Sequence, residues 1–344
     1  MQKVIHLIPY DGIGGVESAA RSMAHVSASD LDFRVEALFS PLAARQRWGT
    51  FNPISFLLIL FRLWRAAPDL VVVSLWRSCL IGVFLKLLNP HLRLILFLHF
   101  PSDVHGIDRF ITRLSARLSS RVWADSNETL ERRLPGVAAT KGRVISFVTE
   151  SVVSQPRQPV RAHFIFWGRI HAQKGLKRAL YIFAGVKKQS PDARFWMIGP
   201  DGGDLPRVRS LIDSLGLTAS VQLLGGMNFY QIRSVAESAS FYLQTSELEG
   251  MAMSVVEAMQ LGLLPVVTPV GEVKHYAKHG KNALVVTDNA TTISDIVALL
   301  EDDVRYQAMC KCAVATWEHQ PLYRDSVLDG CREALGLDNM MKAV

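Results

Sequence analysis

Residues 240–269 read SFYLQTSELEGMAMSVVEAMQLGLLPVVTP, a pattern that predicts a strand, a loop, a helix and a second strand. Residues 241–244 and 264–267 are short apolar runs with the composition of strands. Residues 251–260, between them, are helix-forming and place their apolar positions on one face. A strand–helix–strand unit of this kind predicts a parallel sheet.

Two acids in this stretch, Glu249 and Glu257, are its most informative side chains. In parallel sheets, ligands bind beyond the carboxyl ends of the strands, and the loop 245–250 with Glu249 falls there. The helix that follows presents backbone N–H groups near residues 252–254, which suit a phosphate. Glu257 lies one helical turn further on, roughly 5 to 6 Å, where a carboxylate can accept ribose hydroxyls. In an arbitrary βαβ unit both acids would more simply be solvated.

The same stretch resembles the E-x7-E signature of the family 4 retaining glycosyltransferases, whose usual form is E-G-F-G-L-x-x-x-E-A-M-A-x-G-x-P-V-V. The resemblance implies that Glu257 holds the ribose of a sugar nucleotide and that Glu249 holds the donor sugar. It also implies that the helix N-terminus at Met253 and Ser254 meets the phosphate charge. Ala252 departs from the pattern, because the family usually has glycine at this position.

Length and composition limit the classes of protein to which the chain can belong. The 344 residues suit two domains, each with its own core. A hydrophobic content of 49% and a mean hydropathy of +0.18 exclude disorder and favour a heavily buried or membrane-contacting protein. The four cysteines have neither disulfide-scaffold nor paired C-x-x-C spacing, which fits a reducing compartment.

The apolar segments predict no membrane span. The N-terminal run breaks at Tyr10 and has no small-residue cleavage site, so it predicts a first strand rather than a signal peptide. Residues 53–66 predict an amphipathic helix, and the longest apolar run, residues 54–61 within it, is too short to cross a bilayer. We therefore expect a cytoplasmic protein that is soluble or peripheral on the inner face of the cell membrane.

The positive charge is concentrated in the first half of the chain. Residues 1–150 hold 18 Lys and Arg against 12 Asp and Glu, whereas the remainder holds 20 against 19. Within the first half, residues 108–121 predict a helix with four arginines spaced four apart on one face, namely Arg109, Arg113, Arg117 and Arg121. This stripe is either a solvated face or a contact for an anionic membrane surface or a pyrophosphate-bearing acceptor. Nucleic acid is not expected as a partner, because no aromatic-interleaved basic surface accompanies the stripe.

A glycine-rich turn precedes the first predicted helix, residues 18–25. The turn lacks the third glycine of G-x-G-x-x-G, since Glu17 stands in its place, and this weakens a dinucleotide-dependent oxidoreductase as an alternative. A turn of this kind is equally a tight turn or a ligand loop. By resemblance, Gly14, Gly15 and Glu17 match the G-G-x-E loop of the family's first domain, which closes over acceptor and donor.

His99 directly follows the predicted strand 92–98, so it lies at a carboxyl end. On position alone, a single histidine is more often structural. The family commonly has a histidine at this strand end, and the resemblance implies that His99 contacts hydroxyls of the donor sugar rather than acting as an obligatory base.

The predicted second domain opens with the strand 163–167 and the loop GRIHAQKG, residues 168–175. An arginine and a lysine beside a helix N-terminus can stabilise a diphosphate leaving group without a metal. The resemblance implies that Arg169 and Lys174 clamp the donor's phosphates. It also places the pocket for the base near Gly225 and Met227.

The predicted fold class is α/β of the GT-B type, with two Rossmann-like domains whose parallel sheets face a central cleft. Residues 1–155 form the acceptor-binding domain, joined by a C-terminal helix at about 319–337, and residues 161–318 form the nucleotide-sugar domain. Residues 151–162 are the predicted linker. Two further departures from the family are Val148-Thr149-Glu150 in place of an Asn-Gly pair, and His275 in place of a glutamate.

The implied reaction is the metal-independent transfer of a sugar from a UDP- or GDP-sugar, with retention, to an acceptor hydroxyl. The acceptor expected is a lipid-linked or cell-envelope glycan of the O-antigen, capsule or lipopolysaccharide type. No cofactor and no catalytic metal are expected, and the D-x-D string at Asp30 and Asp32 is predicted to lie in a polar turn. A GT-B scaffold that binds a sugar nucleotide without turnover is the alternative from a non-catalytic class.

Overall fold

The computed structural model describes residues 1–10, 15–23, 26, 28–39, 53–150 and 159–337. Gly14 and most of the predicted linker therefore lie outside the described residues. The chain divides into two compact units, the first formed by residues 1–150 with 321–344 and the second by residues 151–320. Each unit is built on one six-stranded parallel sheet, so the α/β prediction is confirmed.

The sheet of the first unit has the strand order β2-β1-β3-β4-β5-β6. Its strands are β1 (Gln2–Tyr10), β2 (Leu31–Phe39), β3 (Leu70–Ser74), β4 (Arg93–Leu98), β5 (Arg121–Ala124) and β6 (Gly142–Val144). β3 is buried along its whole length, which explains its continuous run of aliphatic residues, since a parallel strand is covered on both faces.

Seven helices belong to the described residues of the first unit. They are α1 (Gly15–Arg21), α2 (Pro53–Ala66), α3 (Leu75–Leu88), α4 (Gly106–Leu118), α5 (Asn127–Arg133), α6 (Ala138–Lys141) and, from the end of the chain, α14 (Tyr323–Leu335). The helix predicted over residues 18–25 is observed as α1, which starts three residues earlier and ends at Arg21.

The predicted arginine stripe is wrong at its last member. α4 ends at Leu118, and Arg121 is instead the first residue of β5, where its Nε lies 3.0 Å from Glu333 Oε1. The predicted C-terminal helix is also shorter than expected, because Pro321 lacks the N–H that a helix interior requires and α14 begins only at Tyr323. The Tyr323 N–H donates to the Val148 carbonyl at 2.7 Å, which anchors α14 on the first unit.

The sheet of the second unit has the order β12-β11-β10-β7-β8-β9. Its strands are β7 (His163–Trp167), β8 (Arg194–Ile198), β9 (Val221–Gly225), β10 (Phe241–Gln244), β11 (Leu264–Val267) and β12 (Leu284–Val285). The α-helices of the described residues are α7 (Leu176–Gln189), α8 (Leu205–Ser214), α9 (Phe229–Ala236), α10 (Met253–Gln260), α11 (Val273–Tyr276), α12 (Asn289–Leu300) and α13 (Asp303–Ala315).

The strand–helix–strand unit predicted from residues 240–269 is present as β10, α10 and β11. Both strands have the predicted bounds and are buried throughout, and β10 lies beside β7 in the sheet. The carboxyl ends of β7 and β10 therefore meet at one edge. Within the part of the chain that the structure describes, every helix is too short or too polar to cross a membrane.

Candidate active site

The loops after β7 and β10 place Lys174 and Glu249 in direct contact. Lys174 Nζ lies 2.7 Å from Glu249 Oε1, with only 18% of the lysine side chain and 8% of the glutamate side chain exposed. A charged pair removed from water in this way needs further hydrogen bonds to be stable. The structure thus brings together two of the residues that the sequence analysis assigned to the donor.

Those further hydrogen bonds come from β10 and α10. Gln244 Nε2 donates to Glu249 Oε1 at 3.0 Å. The side-chain oxygen of Gln244, Oε1, accepts from the Tyr242 hydroxyl at 2.5 Å and from the Ser254 hydroxyl at 2.9 Å. Burial raises the pKa of Tyr242 well above its usual value, and the Glu249 carboxylate adds to that effect. Tyr242 is therefore a neutral phenol that orients Gln244, and Gln244 in turn orients Glu249.

Glu257 is held by an indole from the neighbouring strand. Trp167, the last residue of β7, donates through Nε1 to Glu257 Oε2 at 2.7 Å. A hydrogen bond to a carboxylate is stronger than one between neutral groups. The second acid of the E-x7-E signature is thus fixed in orientation by a residue that sequence reasoning did not select.

Glycine lets two loops approach closely. Gly175 has φ +63°, and a Cβ at this position would collide with the Thr245 carbonyl, so the loop with Lys174 lies directly on the loop that leads to Glu249. Gln173 Nε2 also donates to the Leu248 carbonyl at 2.6 Å. These contacts make the two loops one packed layer, which fixes the geometry of the Lys174–Glu249 pair.

Ala252 precedes α10 in the left-handed region, with φ +58° and ψ +64°. This conformation is unfavourable for any residue with a Cβ, by roughly 1 to 2 kcal/mol. Glycine, which is usual at this position in the family, would adopt the conformation without strain, so alanine raises the energy of this turn relative to glycine.

The other predicted donor residues of the second unit occupy the same edge of the sheet. Arg169 is exposed on the loop after β7, and its aliphatic stem lies over Gly202. Met253 and Ser254 are half-buried in the first turn of α10. Gly225 ends β9 with φ +71° and is exposed, and Met227 follows it half-buried.

His99 directly follows β4 in the first unit and is bound to Ser74 at the end of β3. Its Nε2 lies 2.8 Å from Ser74 Oγ, and Nε2 of the buried His6 lies at the same distance from that oxygen. A hydroxyl donates one proton, so Ser74 donates to one imidazole and accepts from the other. Burial lowers the pKa of His6 to about 4 and, together with the nearby His6, lowers the pKa of His99 well below its usual value.

Both histidines are therefore neutral at pH 7, and His99 Nε2 is already hydrogen-bonded to Ser74. Among the described residues, Nδ1 of His99 and Nδ1 of His6 are buried without a hydrogen-bond partner. If His99 contacts a sugar, it does so with its remaining ring atoms as a neutral group.

Of the predicted glycine loop in the first unit, Gly15 and Glu17 lie in the first turn of α1. Gly15 is exposed and Glu17 half-buried. Gly14 is outside the described residues.

Sequence comparison relates the segment that carries this geometry to a known family. Residues 150–315 match the family described as Glycosyl transferases group 1. This segment is therefore similar to the group 1 glycosyl transferases. The match covers the strands and loops that carry Arg169, Lys174, Glu249 and Glu257.

Two curated relatives show the range of this group. The chain is 26% identical over 246 residues to the GDP-mannose:cellobiosyl-diphosphopolyprenol alpha-mannosyltransferase of Xanthomonas oryzae pv. oryzae (strain PXO99A), covering 68% of this chain and 64% of that protein. It is 29% identical over 167 residues to the phosphatidylinositol N-acetylglucosaminyltransferase GPI3 subunit of Saccharomyces cerevisiae (strain YJM789), covering 45% of this chain and 36% of that one. The chain thus spans less than two thirds of the length of these relatives.

Solved structures confirm the predicted GT-B fold. Anabaena Alr3699/HepE, crystallised with UDP and glucose, superposes with a TM-score of 0.80 at 17% identity, covering 98% of this chain and all of the other. At this identity the likeness establishes the fold alone.

In the segment that matches this family, sequence reasoning missed three residues, namely Trp167, Tyr242 and Gln244. The sequence did contain a signal for two of these residues. Tyr242 and Gln244 are two positions apart in an otherwise apolar strand, so both side chains point to the same face. Trp167 offered no comparable signal, because a tryptophan ending a buried strand is equally a core residue.

The D-x-D acids are part of ion pairs in the first unit. Asp30 accepts from Arg332 at 2.8 Å, and Asp32, which lies in β2 rather than in the predicted turn, pairs with Arg34 at 2.9 Å. Across residues that the structure describes, no group of three or more His, Cys, Asp or Glu side chains is placed to hold a metal ion. The D-x-D string is therefore explained by the packing of β2 and α14.

Proposed function

We propose that this protein is a retaining glycosyltransferase that moves a sugar from a nucleotide diphosphate to an acceptor hydroxyl. The observation that carries the proposal is the buried Lys174–Glu249 pair at the carboxyl ends of β7 and β10, inside the segment that matches the group 1 family. In the reaction, the bond between the anomeric carbon and the diphosphate oxygen breaks, and the acceptor oxygen bonds to that carbon. The acceptor's proton leaves with the diphosphate.

The charge that develops on the diphosphate sets the roles of the cations. Lys174 and Arg169, with the N–H groups at the start of α10, supply positive potential beside the breaking bond, and fixed donors of this kind stabilise a transition state without reorganising. We assign these residues to the phosphates, and no metal is invoked in this scheme. Activity that is lost in EDTA and restored by manganese would contradict it.

The two acids position the rest of the donor. Glu249, oriented by Gln244 and Lys174, is assigned to the sugar hydroxyls, and Glu257, oriented by Trp167, to the ribose. His99 is assigned to a further sugar hydroxyl as a neutral contact. Gly225 and Met227 are assigned to the base, and Gly14, Gly15 and Glu17 to the loop that closes over the substrates.

The donor is proposed to be a UDP- or GDP-sugar. The Xanthomonas relative is named for GDP-mannose, and the Anabaena protein was crystallised with UDP. Thermal stabilisation by UDP, GDP and ADP, measured in parallel, distinguishes the nucleotides, because a ligand that binds only the folded protein raises its melting temperature.

The acceptor is proposed to be a lipid-linked or cell-envelope glycan, and the site of action the cytoplasmic face of the membrane. The names of the two curated relatives specify a diphosphopolyprenol and a phosphatidylinositol acceptor. On α4, Arg113 and Arg117 are exposed, whereas Arg109 pairs with Asp103 at 2.8 Å. Because Arg121 is not on this helix, the proposed contact with anionic lipid or pyrophosphate on α4 rests on three arginines.

The test is transfer or hydrolysis from a panel of nucleotide sugars. We expect turnover in the native protein and a loss of at least about a hundredfold in Glu249→Ala and Arg169→Ala, as is usual when a transition-state contact is removed. Glu247→Ala, an exposed acid on the same loop, is the matched control and should leave turnover unchanged. Nucleotide binding without turnover of any sugar would favour the non-catalytic scaffold instead.

A further inference from the structure

The outer face of α2 is apolar and exposed. Five large side chains on this helix are between 50% and 68% exposed, namely Ile54, Leu57, Leu58, Phe61 and Trp64. Their spacing of three and four residues puts them on one side of the helix. Leu60 and Leu63, on the opposite side, are buried in the core of the first unit. α2 is therefore apolar on both sides, unlike the amphipathic helix that its sequence predicted.

α3 packs beside α2 and adds exposed apolar side chains of its own. Phe56 of α2 and Phe84 of α3 meet edge to face, with ring centroids 5.5 Å apart. Phe84, Leu87 and Leu88 are between 41% and 63% exposed. These three residues and the five of α2 are called here the α2–α3 apolar surface. Contiguous exposed apolar patches of this kind usually mark a surface that binds a partner or a membrane.

The charged residues of α2 itself are both positive. α2 contains Arg62 and Arg65 and no acidic residue. Arg65 lies over the Phe61 ring at 5.9 Å, and Arg62 pairs with Glu36 of β2 at 2.8 Å. An apolar face with Trp, Phe and Leu, edged by arginine, is typical of helices that lie in the plane of an anionic membrane.

The neighbouring helix α4 also exposes both apolar and basic side chains. α4 packs against α3, and its exposed Ile107 and Phe110 lie on the same side of the helix as Arg113 and Arg117. A layer of three adjacent helices thus combines exposed apolar and basic side chains. A second copy of the chain fits this surface less well, because a self-complementary contact would bring the arginines of two α2 helices together.

We propose that the α2–α3 apolar surface inserts into the headgroup and acyl boundary of an anionic phospholipid bilayer. The apolar side chains enter the lipid, while Arg62 and Arg65 contact phosphate groups at its margin. The 14 residues of α2 span roughly 21 Å, so the helix lies along the membrane and does not cross it. The proposal is independent of sugar transfer and differs from a purely electrostatic contact through the α4 arginines.

A fluorophore on α2 tests insertion directly. Leu58→Cys labelled with NBD, in a Cys312→Ser background, should brighten and shift to the blue when phosphatidylcholine vesicles containing phosphatidylglycerol are added. The other three native cysteines are buried. Val304→Cys, an 82% exposed apolar position on α13 of the second unit, is the matched control and should not respond. An unchanged NBD spectrum at residue 58 would overturn the proposal.

Vesicle co-sedimentation tests the energetic role of the surface. Phe61→Glu should weaken binding by about tenfold or more, because it removes apolar area and adds a charge that anionic lipid repels. Val304→Glu should bind like the native protein. Since screening shortens electrostatic reach to about 3 Å at 1 M salt, binding that persists at high salt supports insertion, and its complete loss would contradict it.

A protein partner is the other outcome to be separated. Sedimentation velocity without lipid should show one species at all concentrations for both the native chain and Phe61→Glu. A native dimer that Phe61→Glu dissociates, together with an absence of vesicle binding, would assign the surface to a second copy and overturn the bilayer proposal. Transfer to a water-soluble acceptor, measured on the same variants, keeps this outcome distinct from a failure of the proposed function.

Discussion

Lys174 Nζ lies 2.7 Å from Glu249 Oε1, although the two residues are 75 positions apart in the chain. They come from the loops after β7 and β10, which are neighbours in the sheet. One of the two is assigned to the donor's phosphates and the other to its sugar. Under the proposed function, the pair would set the spacing between these two subsites before a ligand binds.

Removing either member of this pair should destabilise the protein, and the two losses should not add. Lys174→Met leaves Glu249 buried without its cation, at a cost of roughly 3 kcal/mol in the free energy of unfolding. Glu249→Gln should also destabilise, and the double variant should be less destabilised than the sum of the two. Urea denaturation of all four proteins gives the coupling energy. Strictly additive effects would show that the contact contributes nothing.

Trp167→Phe should weaken nucleotide binding with little effect on folding. The variant keeps an aromatic ring in β7 but loses the N–H that orients Glu257. We expect the affinity for the preferred nucleotide, measured by calorimetry, to fall about tenfold, as is common for a lost hydrogen bond to a charged group. Trp196→Phe, which removes an indole bond to Gln222 on the adjacent strand, should leave the affinity unchanged. Equal losses in both variants would point to a general effect of tryptophan removal.

The buried His6 should make the protein less stable in acid. Burial lowers its pKa from 6.5 to about 4, so the folded state holds it neutral while the unfolded state binds a proton below pH 6.5. The contribution of His6 is fully present above pH 6.5 and is lost as the pH falls towards 4, a change of about 3 kcal/mol. The lowered pKa of His99 acts in the same direction.

Urea denaturation between pH 7.5 and pH 4.5 measures this effect. His6→Gln should flatten the decline in stability, whereas His91→Gln, which changes an exposed histidine, should not. A decline of equal steepness in the native protein and His6→Gln would exclude His6 as its source.

The backbone of Ala252 gives a prediction about local strain. Ala252→Gly relieves the strain of a left-handed φ of +58° but increases the freedom of the unfolded chain, so the melting temperature should rise slightly or stay unchanged. Ala252→Val should cost about 2 kcal/mol, because branching at Cβ disfavours this region most strongly. Ala290→Val, at an exposed position in α12, should cost only a few tenths. Similar losses for the two valine variants would argue against strain at residue 252.

Much of the second unit could be predicted because its signals are local. The bounds of β10 and β11 follow from short buried apolar runs, and Glu249 and Glu257 stand out by their fixed separation within a strand–helix–strand pattern. In the first unit, the ends of the helices were harder to predict. The predicted stripe on α4 extended to Arg121 because four-residue spacing continues in sequence after the helix itself has ended.

The sequence by itself determined the parallel strand–helix–strand unit around residues 240–269 and singled out its two acids, because apolar periodicity and motif spacing are properties of neighbouring residues. The GT-B type of the fold followed from the resemblance of these motifs to a known family. Only the tertiary structure decided that Lys174 contacts Glu249, that Trp167 donates to Glu257 and that Ser74 is hydrogen-bonded to His99. It also decided which apolar side chains of α2 are exposed. Each of these depends on which strands lie side by side and which helix face the core covers. Such contacts join residues far apart in the chain, so local sequence patterns do not specify them.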